Sequence, residues 1–292
     1  MEKYILPGLI ANASTLGIHW IYDYKYLEEL SKQKSLLFLR QEKEHFEQAK
    51  PSFYSYPNSE IGDLTVQGQI IKWLYQAMES NKEFSKKDYS KLLYEKFKPG
   101  GSYTGYVETY SKKHVVTFLA KSLHIDTPKI PVMDNHLVGF APYLVCKELG
   151  LDNKKAWELT TVYSQDEDYL IYFNMFDSLF DLLRKGSMHE AVKSVIHLGP
   201  VKYQIPLNKA IEMDNTNEFI KQYSGRACEI QYSIPLIMHI LSHTNSYQEA
   251  VELNATIGGA VSDRNLLVGA LYAQVSEIPE AWVTLVKEKI IL

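Results

Sequence analysis

The sequence predicts an all-α protein, and three observations lead to this fold class. Apolar residues recur at intervals of three and four over most of the chain, which is the spacing of one helix face. Capping residues precede several of these segments, and Gly or Pro follows many of them. Alternating apolar and polar runs bounded by hairpin turns are nearly absent. We therefore expect a single domain over residues 1–292, with roughly ten or more helices and essentially no sheet.

The first half of the chain contains helix signals on both sides of one long loop. Pro7 fits the first turn of an N-terminal helix, where a missing N–H breaks no hydrogen bond. The Pro- and Ser-containing loop ends at Asp63, which is placed to cap the next helix, with Thr65 one step inside. Ser85 and Asp88 form a capping-box pattern. The predicted helices cover residues 4–16, 24–50, 64–78, 86–97 and 106–123.

The second half repeats these signals at shorter intervals. Asp152 or Asn153 can cap one helix, and Ser246 with Glu249 forms a second capping-box pattern. Another helix is expected to begin near Pro235. The predicted helices cover residues 143–149, 154–163, 168–183, 188–196, 233–241, a segment ending near 254, a segment restarting at 266, and 280–291.

Charge and composition argue against several classes of partner. The net charge is −4 and the pI about 6.2, so we expect no nucleic-acid partner, because such binding needs clustered Lys and Arg. We expect no membrane partner, because no apolar run approaches the roughly 20 residues that span a bilayer. Cys146 and Cys228 lack CxxC spacing and the N-terminus lacks the pattern of a secretory signal. These features predict a cytoplasmic protein with reduced thiols, whose oligomeric state the sequence leaves open.

The stretch NATIGGAVSDRNLLVGALYA, residues 254–273, is the strongest candidate for a binding site. It predicts a helix end, a tight Gly-Gly loop, and an apolar helix that restarts at Leu266. At such a helix N-terminus, free N–H groups and the helix dipole favour an anion. Arg264 would hold a phosphate or carboxylate, or would pair with Asp263 and fix the turn. The polar residues presented there are Ser262, Asp263, Arg264 and Asn265.

Three further segments place polar or aromatic side chains near helix breaks. Trp20 follows the first predicted helix, and it either lines a pocket or packs in a corner. Tyr103 and Tyr106 accompany a glycine-containing loop, where the backbone can approach a ligand closely. A polar triplet interrupts an apolar run, and it is either a ligand site or a structural hydrogen-bond knot, since buried polar groups need partners. This triplet is Asp134, Asn135 and His136.

Four short motifs match, in order, the pattern of one known family. Residues 13–17 (Ala-Ser-Thr-Leu-Gly) correspond to its Gly-Asp-Ala-Leu-Gly, and residues 62–65 (Gly-Asp-Leu-Thr) to its Thr-Asp-Asp-Thr metal motif. Residues 258–263 (Gly-Gly-Ala-Val-Ser-Asp) correspond to its Gly-Gly-Asp-Thr-Asp-Thr, and the Ala-Pro of residues 141–142 is retained. The chain thus resembles the ADP-ribosylglycohydrolase superfamily over nearly its whole length.

The resemblance is nearest the branch that contains selenoprotein J and the jellyfish lens crystallins. It rests there on residues 62–65, residues 103–106, Gly225-x-x-Cys228, Pro235 and Arg264. This resemblance implies an orthogonal bundle of helices and, in active members, two Mg²⁺ ions held by aspartates. It implies hydrolysis of bonds to ADP-ribose, and therefore a small-molecule or ADP-ribosylated substrate.

Carried over by position, the resemblance assigns metal ligation to Asp63, Thr65 and Asp263, and catalysis to Asp63 and Asp263. Glu60 is a substitute carboxylate from the preceding loop. The family's other aspartates are replaced, at residues 14, 64, 260 and 262, by Ser, Leu, Ala and Ser. Because Mg²⁺ usually takes more than one carboxylate, two full sites are not expected, and a single weak site stays open.

Three functions are therefore compatible with the sequence. The first is hydrolysis of an N- or O-glycosidic bond of an ADP-ribosyl or related substrate, which needs a positioned water, charge stabilisation and a proton donor. The second is an inactive family member that binds a nucleotide-like anion through Arg264, with Trp20, Tyr103 and Tyr106 stacking on the base or ribose. The third is a structural, crystallin-like role.

Overall fold

A computed structural model describes residues 2–291 of the chain. Sixteen α-helices and four short 3-10 turns account for its regular structure, and within the described range the only β pairing is two isolated bridges. The predicted all-α fold class is confirmed. No helix between residues 2 and 291 is both long enough and apolar enough to cross a membrane.

The helices of the first half follow the predicted pattern, with two changes. The segment 24–50, predicted to be helical, contains two short helices at Tyr24–Ser31 and Lys43–Gln48, and the cap of the helix Val66–Ser80 (α4) differs from the prediction. The capping box of Ser85 and Asp88 is present at α5. The prediction that Asp63 caps α4 is wrong, because the Thr65 side chain makes this cap by accepting the Gly68 N–H. The helices are α1 (Ile5–Thr15), α2 (Tyr24–Ser31), α3 (Lys43–Gln48), α4 (Val66–Ser80), α5 (Lys86–Phe97) and α6 (Thr109–Ser122).

The second half contains more helices than its sequence pattern predicted. α13 begins at Ile230 and contains Pro235 in its interior, so the predicted start near Pro235 is wrong. Ser246 caps α14, whereas Glu249 accepts from the Asn245 N–H and so does not complete the predicted box. The helices are α7 (Phe140–Glu148), α8 (Asn153–Thr160), α9 (Asp168–Leu183), α10 (Met188–Val195), α11 (Gln204–Glu212), α12 (Thr216–Gln222), α13 (Ile230–Ser242), α14 (Tyr247–Ile257), α15 (Val261–Tyr272) and α16 (Glu280–Ile291).

The centre of the fold is the packing of α1 against α15. Every residue of both helices is buried, so neither helix has a solvent face. The two backbones approach closely at Gly8 and Gly269, where an added Cβ would lie 2.5 Å from the Leu266 carbonyl oxygen and 2.7 Å from that of Pro7. The contact brings the C-terminal end of α1, the N-terminal end of α4 and the start of α15 together, and the candidate site is built there.

Candidate functional site

The turn between α14 and α15 consists of only three residues, 258–260. Gly258 and Gly259 have φ angles of 81° and 74°, a region that side chains other than glycine rarely adopt. A Cβ at Gly259 would lie 2.3 Å from the Arg226 carbonyl oxygen. The glycine pair therefore lets α14 reverse into α15 while the loop before α13 packs directly on the turn.

α15 begins five residues earlier than predicted, at Val261 rather than Leu266. The four polar residues of the turn consequently lie in the first turns of a buried helix, each no more than 1% exposed. The Ser262 N–H, which was expected to face a ligand, donates to His19 Nδ1 at 3.3 Å. The polar side chains of this segment make hydrogen bonds with other helices and loops. They can therefore be buried inside a helix, whereas the prediction placed them in an exposed turn.

The Arg264 guanidinium is fully buried and holds the turn together. Its Nε donates to Asn254 Oδ1 at 2.9 Å, Nη1 to the Arg226 carbonyl oxygen at 3.1 Å, and Nη2 to the Gly258 carbonyl oxygen at 2.5 Å. Burial lowers the pKa of Arg264 to about 9, so it stays charged at neutral pH. These contacts describe a structural role, and the predicted role of Arg264 as an anion ligand stays a prediction.

Asp263 lies in the interior with its carboxylate bonded to side chains of the α4 start. The Thr65 hydroxyl donates to Oδ1 and the Gln67 amide to Oδ2, both at 2.9 Å. Burial raises the pKa of Asp263 to about 7, an effect that the Thr65 bond and the Arg264 charge partly offset. Asp263 is therefore only partly ionised at neutral pH.

Ser262 and Asn265 join the same interior network and tie α15 to α1. Ser262 Oγ lies 3.1 Å from Thr15 Oγ1, and Asn265 Nδ2 donates to Thr15 Oγ1 and to the Ala11 carbonyl oxygen. Asn12 continues the network by donating to Thr65 Oγ1 at 2.9 Å. All of these groups are buried, and each has a hydrogen-bond partner within the network. Because buried polar groups need such partners, the network favours this one packing of α15 against α1.

An open cleft of about 660 Å³ lies outside this network, and it brings together Asp63, Tyr103 and Tyr106. Asp63 was selected from one loop of the sequence, and Tyr103 and Tyr106 from another. Tyr103 is fixed by a hydrogen bond from its hydroxyl to the Tyr106 carbonyl oxygen at 3.2 Å. The residues that line the cleft beside them include Tyr56, Asn58, Ser59, Gln69, Trp73, Lys96, Ser102 and Thr104.

Charged side chains in and near the cleft lie beside its aromatic rings. Lys96 Nζ lies 5.0 Å from the ring centre of Trp73, and Lys112 Nζ lies 5.4 Å from that of Tyr106. The Asp63 carboxylate pairs with Lys289 Nζ at 2.8 Å and accepts the Glu60 N–H. The Glu60 carboxylate pairs with Arg40 instead of turning toward the cleft lining.

Aromatic side chains that line the cleft form a cluster with buried neighbours. Trp20 is 8% exposed, and its ring centre lies 5.3 Å from that of Tyr106 and 6.0 Å from that of Tyr56. Leu16 and Ala260 complete this cluster, which we call the aromatic wall. Trp20 has φ of 70°, an unfavourable conformation for a residue with a side chain. Its backbone is held by bonds to Gly259 and Phe53.

The triplet Asp134, Asn135 and His136 precedes α7 and packs on the segment before α13. The Asn135 carbonyl oxygen accepts the Ile230 N–H at 2.8 Å, and its amide donates to Gln231 Oε1. The Asp134 carboxylate accepts the Gln165 N–H at 3.4 Å. None of the three lines the cleft, so the structure does not bring this triplet to Asp63, Tyr103 and Tyr106.

His136 makes one contact that the sequence did not predict. Its Nδ1 lies 3.0 Å from Cys228 Sγ. Burial raises the pKa of the Cys228 thiol well above its usual value, and the nearby carboxylate of Glu108 raises it further. The raised pKa favours the thiol over the thiolate, and the thiolate is the nucleophilic form of cysteine.

Sequence reasoning did not select Glu108, which is the most unusual carboxyl group of the region. It is 5% exposed, and its carboxyl group shares a hydrogen bond with the Tyr110 side chain. Burial raises its pKa well above the usual range, the Asp263 carboxylate adds to this effect, and the hydrogen bond with Tyr110 lowers the pKa in part. The only sequence feature that pointed to Glu108 was its position two residues after Tyr106. The burial of an acidic side chain depends on tertiary packing, which a local sequence pattern does not reveal.

The donor atoms do not fit a pair of Mg²⁺ ions. Asp63 is a surface residue paired with Lys289, whereas Asp263 is interior and bonded to Thr65 and Gln67. Ala260, which corresponds by position to a metal aspartate in the ADP-ribosylglycohydrolase pattern, is part of the aromatic wall. Over residues 2–291 no three His, Cys, Asp or Glu side chains converge as a possible metal-binding group. Since Mg²⁺ needs near-octahedral oxygen ligands, two sites lack the donors, and the single weak site stays a prediction.

Comparison with known proteins gives one relative and no family model. No protein-family model matches the chain. The sequence is similar to crystallin J1A of Tripedalia cystophora, with 23% identity over 302 aligned positions. The alignment covers 96% of this chain and 89% of the crystallin. Similarity over nearly the full length of both chains supports a relationship to this crystallin, and identity of this level assigns no activity.

Proposed function

We propose that the protein is an ADP-ribosylglycohydrolase-like member that binds an ADP-ribosyl or related nucleotide-like compound in the cleft. One observation carries this proposal: Asp63 and the pair Tyr103 and Tyr106, chosen from two distant loops of the sequence, line one open cleft. Its volume of about 660 Å³ lies within the range of small-molecule sites, which is roughly 300–1,000 Å³.

The lining of the cleft suits the chemistry of a nucleotide. The rings of Trp73 and Tyr103 offer apolar faces for a base, and Lys96 offers a positive charge for a phosphate. Asp63 Oδ1 and Oδ2 can accept hydrogen bonds from ribose hydroxyls at the opposite polar side. This arrangement replaces the role that the sequence had assigned to Arg264 with a lysine at the cleft surface.

We propose further that the metal-dependent hydrolysis of the related family is absent. Cleavage of a glycosidic bond needs a water held against the sugar and a group that stabilises positive charge. Asp263 is buried and does not line the cleft, and Asp63 pairs with Lys289. Hydrolysis at Asp263 therefore requires this carboxylate to become accessible, whereas binding in the cleft does not.

A structural role is the second candidate, and two observations favour it. The relative found by sequence comparison is a crystallin, and Ala260 with its aromatic neighbours fills part of the region that polar ligands would need. A purely structural protein would show no response to nucleotides, which separates this candidate from the first.

Isothermal titration calorimetry with ADP and ADP-ribose tests the proposal. We expect Lys96→Gln to weaken ADP binding about 10-fold or more, because a charge-assisted hydrogen bond contributes about 1.5–3 kcal/mol. Lys91→Gln is the matched control, since Lys91 is an exposed residue of the same helix, α5. Absence of binding of either nucleotide would favour the structural role. Release of ADP-ribose from ADP-ribosyl-arginine or ADP-ribosyl-serine peptides, followed by chromatography, would show that hydrolysis survives.

A further inference from the structure

Asp63 and its substitute Glu60, the two carboxylates predicted for a metal ion before α4, lie on one tight turn. Glu60 and Asp63 are the first and last residues of this turn, because the Asp63 N–H donates to the Glu60 carbonyl oxygen at 3.0 Å. The Glu60 N–H in return donates to Asp63 Oδ2 at 2.7 Å. Gly62 has a φ of 91°, which a residue with a side chain rarely adopts. The turn therefore fixes the two acidic residues beside each other, with Asp63 at the cleft.

Each of these two carboxylates is paired with a basic side chain from another part of the chain. Lys289, in α16, places its Nζ 2.8 Å from Asp63 Oδ1 and donates to the Ile61 carbonyl oxygen at 3.1 Å. Arg40, from the segment between α2 and α3, donates from Nη2 to the Glu60 carboxylate. Two positive charges that belong to the protein itself therefore lie against this turn.

The packing of α16 directs Lys289 to the turn. Val286 and Ile290, which lie three residues before and one residue after Lys289, are both fully buried. An added Cβ at Gly62 would lie 3.1 Å from Lys289 Cδ and 3.4 Å from Val286 Cγ1. The aliphatic part of Lys289 therefore packs directly on the glycine of the turn, and its ammonium group reaches the carboxylate while the side chain stays 43% exposed.

A metal ion at this turn would compete with the two basic side chains. Mg²⁺ binds carboxylate oxygens at about 2.0–2.1 Å and takes one or two carboxylates, with water among its other ligands. The Lys289 ammonium already lies 2.8 Å from Asp63 Oδ1. A divalent ion on the same oxygen would be repelled by this charge, because the Coulomb energy of two like charges rises steeply at short distance. Since exposed ion pairs contribute little to stability, the main effect of both pairs is on which cations the turn accepts.

We propose that Lys289 and Arg40 take the place of a metal ion at this turn, so that the positive charge beside Asp63 and Glu60 is part of the chain. The degenerate metal motif is then explained by two gained cations as well as by lost aspartates. The inference goes beyond nucleotide binding, because it requires no ligand in the cleft and holds equally for a protein with a structural role.

Titration of Mn²⁺ into the full chain without nucleotide, followed by the electron paramagnetic resonance signal of the free ion, tests this replacement. We expect Arg40→Gln/Lys289→Gln to bind Mn²⁺ at least about 10-fold more tightly than the wild type, because two carboxylates and the Ile61 carbonyl oxygen lose their positive partners. Adding Asp63→Asn to this variant should abolish the gain. All of these variants should fold, since they change only exposed ion pairs.

Lys43→Gln/Lys287→Gln is the matched control. It removes the same charge from two other exposed ion pairs, with Glu47 and Glu2, and it should bind Mn²⁺ as the wild type does. Equal Mn²⁺ affinity of the wild type and Arg40→Gln/Lys289→Gln would overturn the inference, and so would a gain that the control shares or that survives Asp63→Asn. None of these results decides whether a nucleotide binds in the cleft, which the titrations with ADP and ADP-ribose test separately.

Discussion

Asp263→Asn is expected to stabilise the protein at neutral pH, because it removes a carboxyl group whose charged form is disfavoured in the interior. The hydrogen bonds can be kept. Thr65 can still donate to Oδ1, and a turn of the Gln67 amide would direct its free Oε1 to the new Asn amide. The substitution therefore changes charge with little change in shape.

The size and sign of the effect follow from the raised pKa. A pKa of about 7 in the folded protein, against 3.8 for the free group, corresponds to about 4 kcal/mol at 1.36 kcal/mol per pH unit. The unfolded chain ionises above pH 3.8 while the folded chain stays protonated, so stability falls as pH rises from about 4 to about 7. Above that range both states are ionised and the loss is complete.

Urea denaturation from pH 4 to pH 8 measures this effect. The free energy of unfolding of the wild type should fall between pH 4 and pH 7, and that of Asp263→Asn should fall much less. The difference between the two proteins should therefore grow with pH, by as much as about 4 kcal/mol. Asp126→Asn, at an exposed loop position, is the control and should follow the wild type. A constant difference between Asp263→Asn and the wild type across this range would refute the reasoning.

Three other substitutions test the structural account by chemical denaturation. Arg264→Leu leaves Asn254 Oδ1 and the Gly258 carbonyl oxygen unpaired, while the Arg226 carbonyl oxygen keeps the Ala260 N–H. It should cost about 3–5 kcal/mol, and a cost below about 1 kcal/mol would contradict the structural role of Arg264. Gly259→Ala should cost more than about 2 kcal/mol, and Gly150→Ala, which has a similar φ but open space around its Cβ, about 1 kcal/mol. Burial raises the pKa of Glu148, but N–H groups at the start of α1 lower it more, so its net pKa is lowered. Glu148→Gln should therefore lose about 1 kcal/mol at pH 7. It should converge with the wild type as the pH falls below 4.5, the usual pKa of a glutamate; a difference independent of pH would contradict this.

Helix positions were predictable because their signals are local. Apolar spacing and caps such as Ser85 act within one or two turns, and the structure confirms this cap. α11 and α12 were not predicted, and α13 begins before Pro235, because packing against neighbouring helices overrides weak local preference there. The single domain, the cytoplasmic location and the metal content stay predictions.

The candidate site was predictable in part. The sequence selected Asp63, Tyr103 and Tyr106 from their neighbouring loops, and the fold places all three on one cleft. It treated Arg264 as accessible because a polar run after two glycines is typical of an exposed turn. Its burial, like that of Glu108, follows from contacts between distant segments, which no local pattern contains.

Titration of ADP-ribose into the wild-type protein, once with EDTA and once with Mg²⁺, tests most directly the claim that the cleft binds a nucleotide-like ligand without metal. The account predicts binding with the same affinity in both buffers, and about 10-fold or greater weakening by Lys96→Gln. Binding that requires Mg²⁺, or no binding in either buffer, would contradict it.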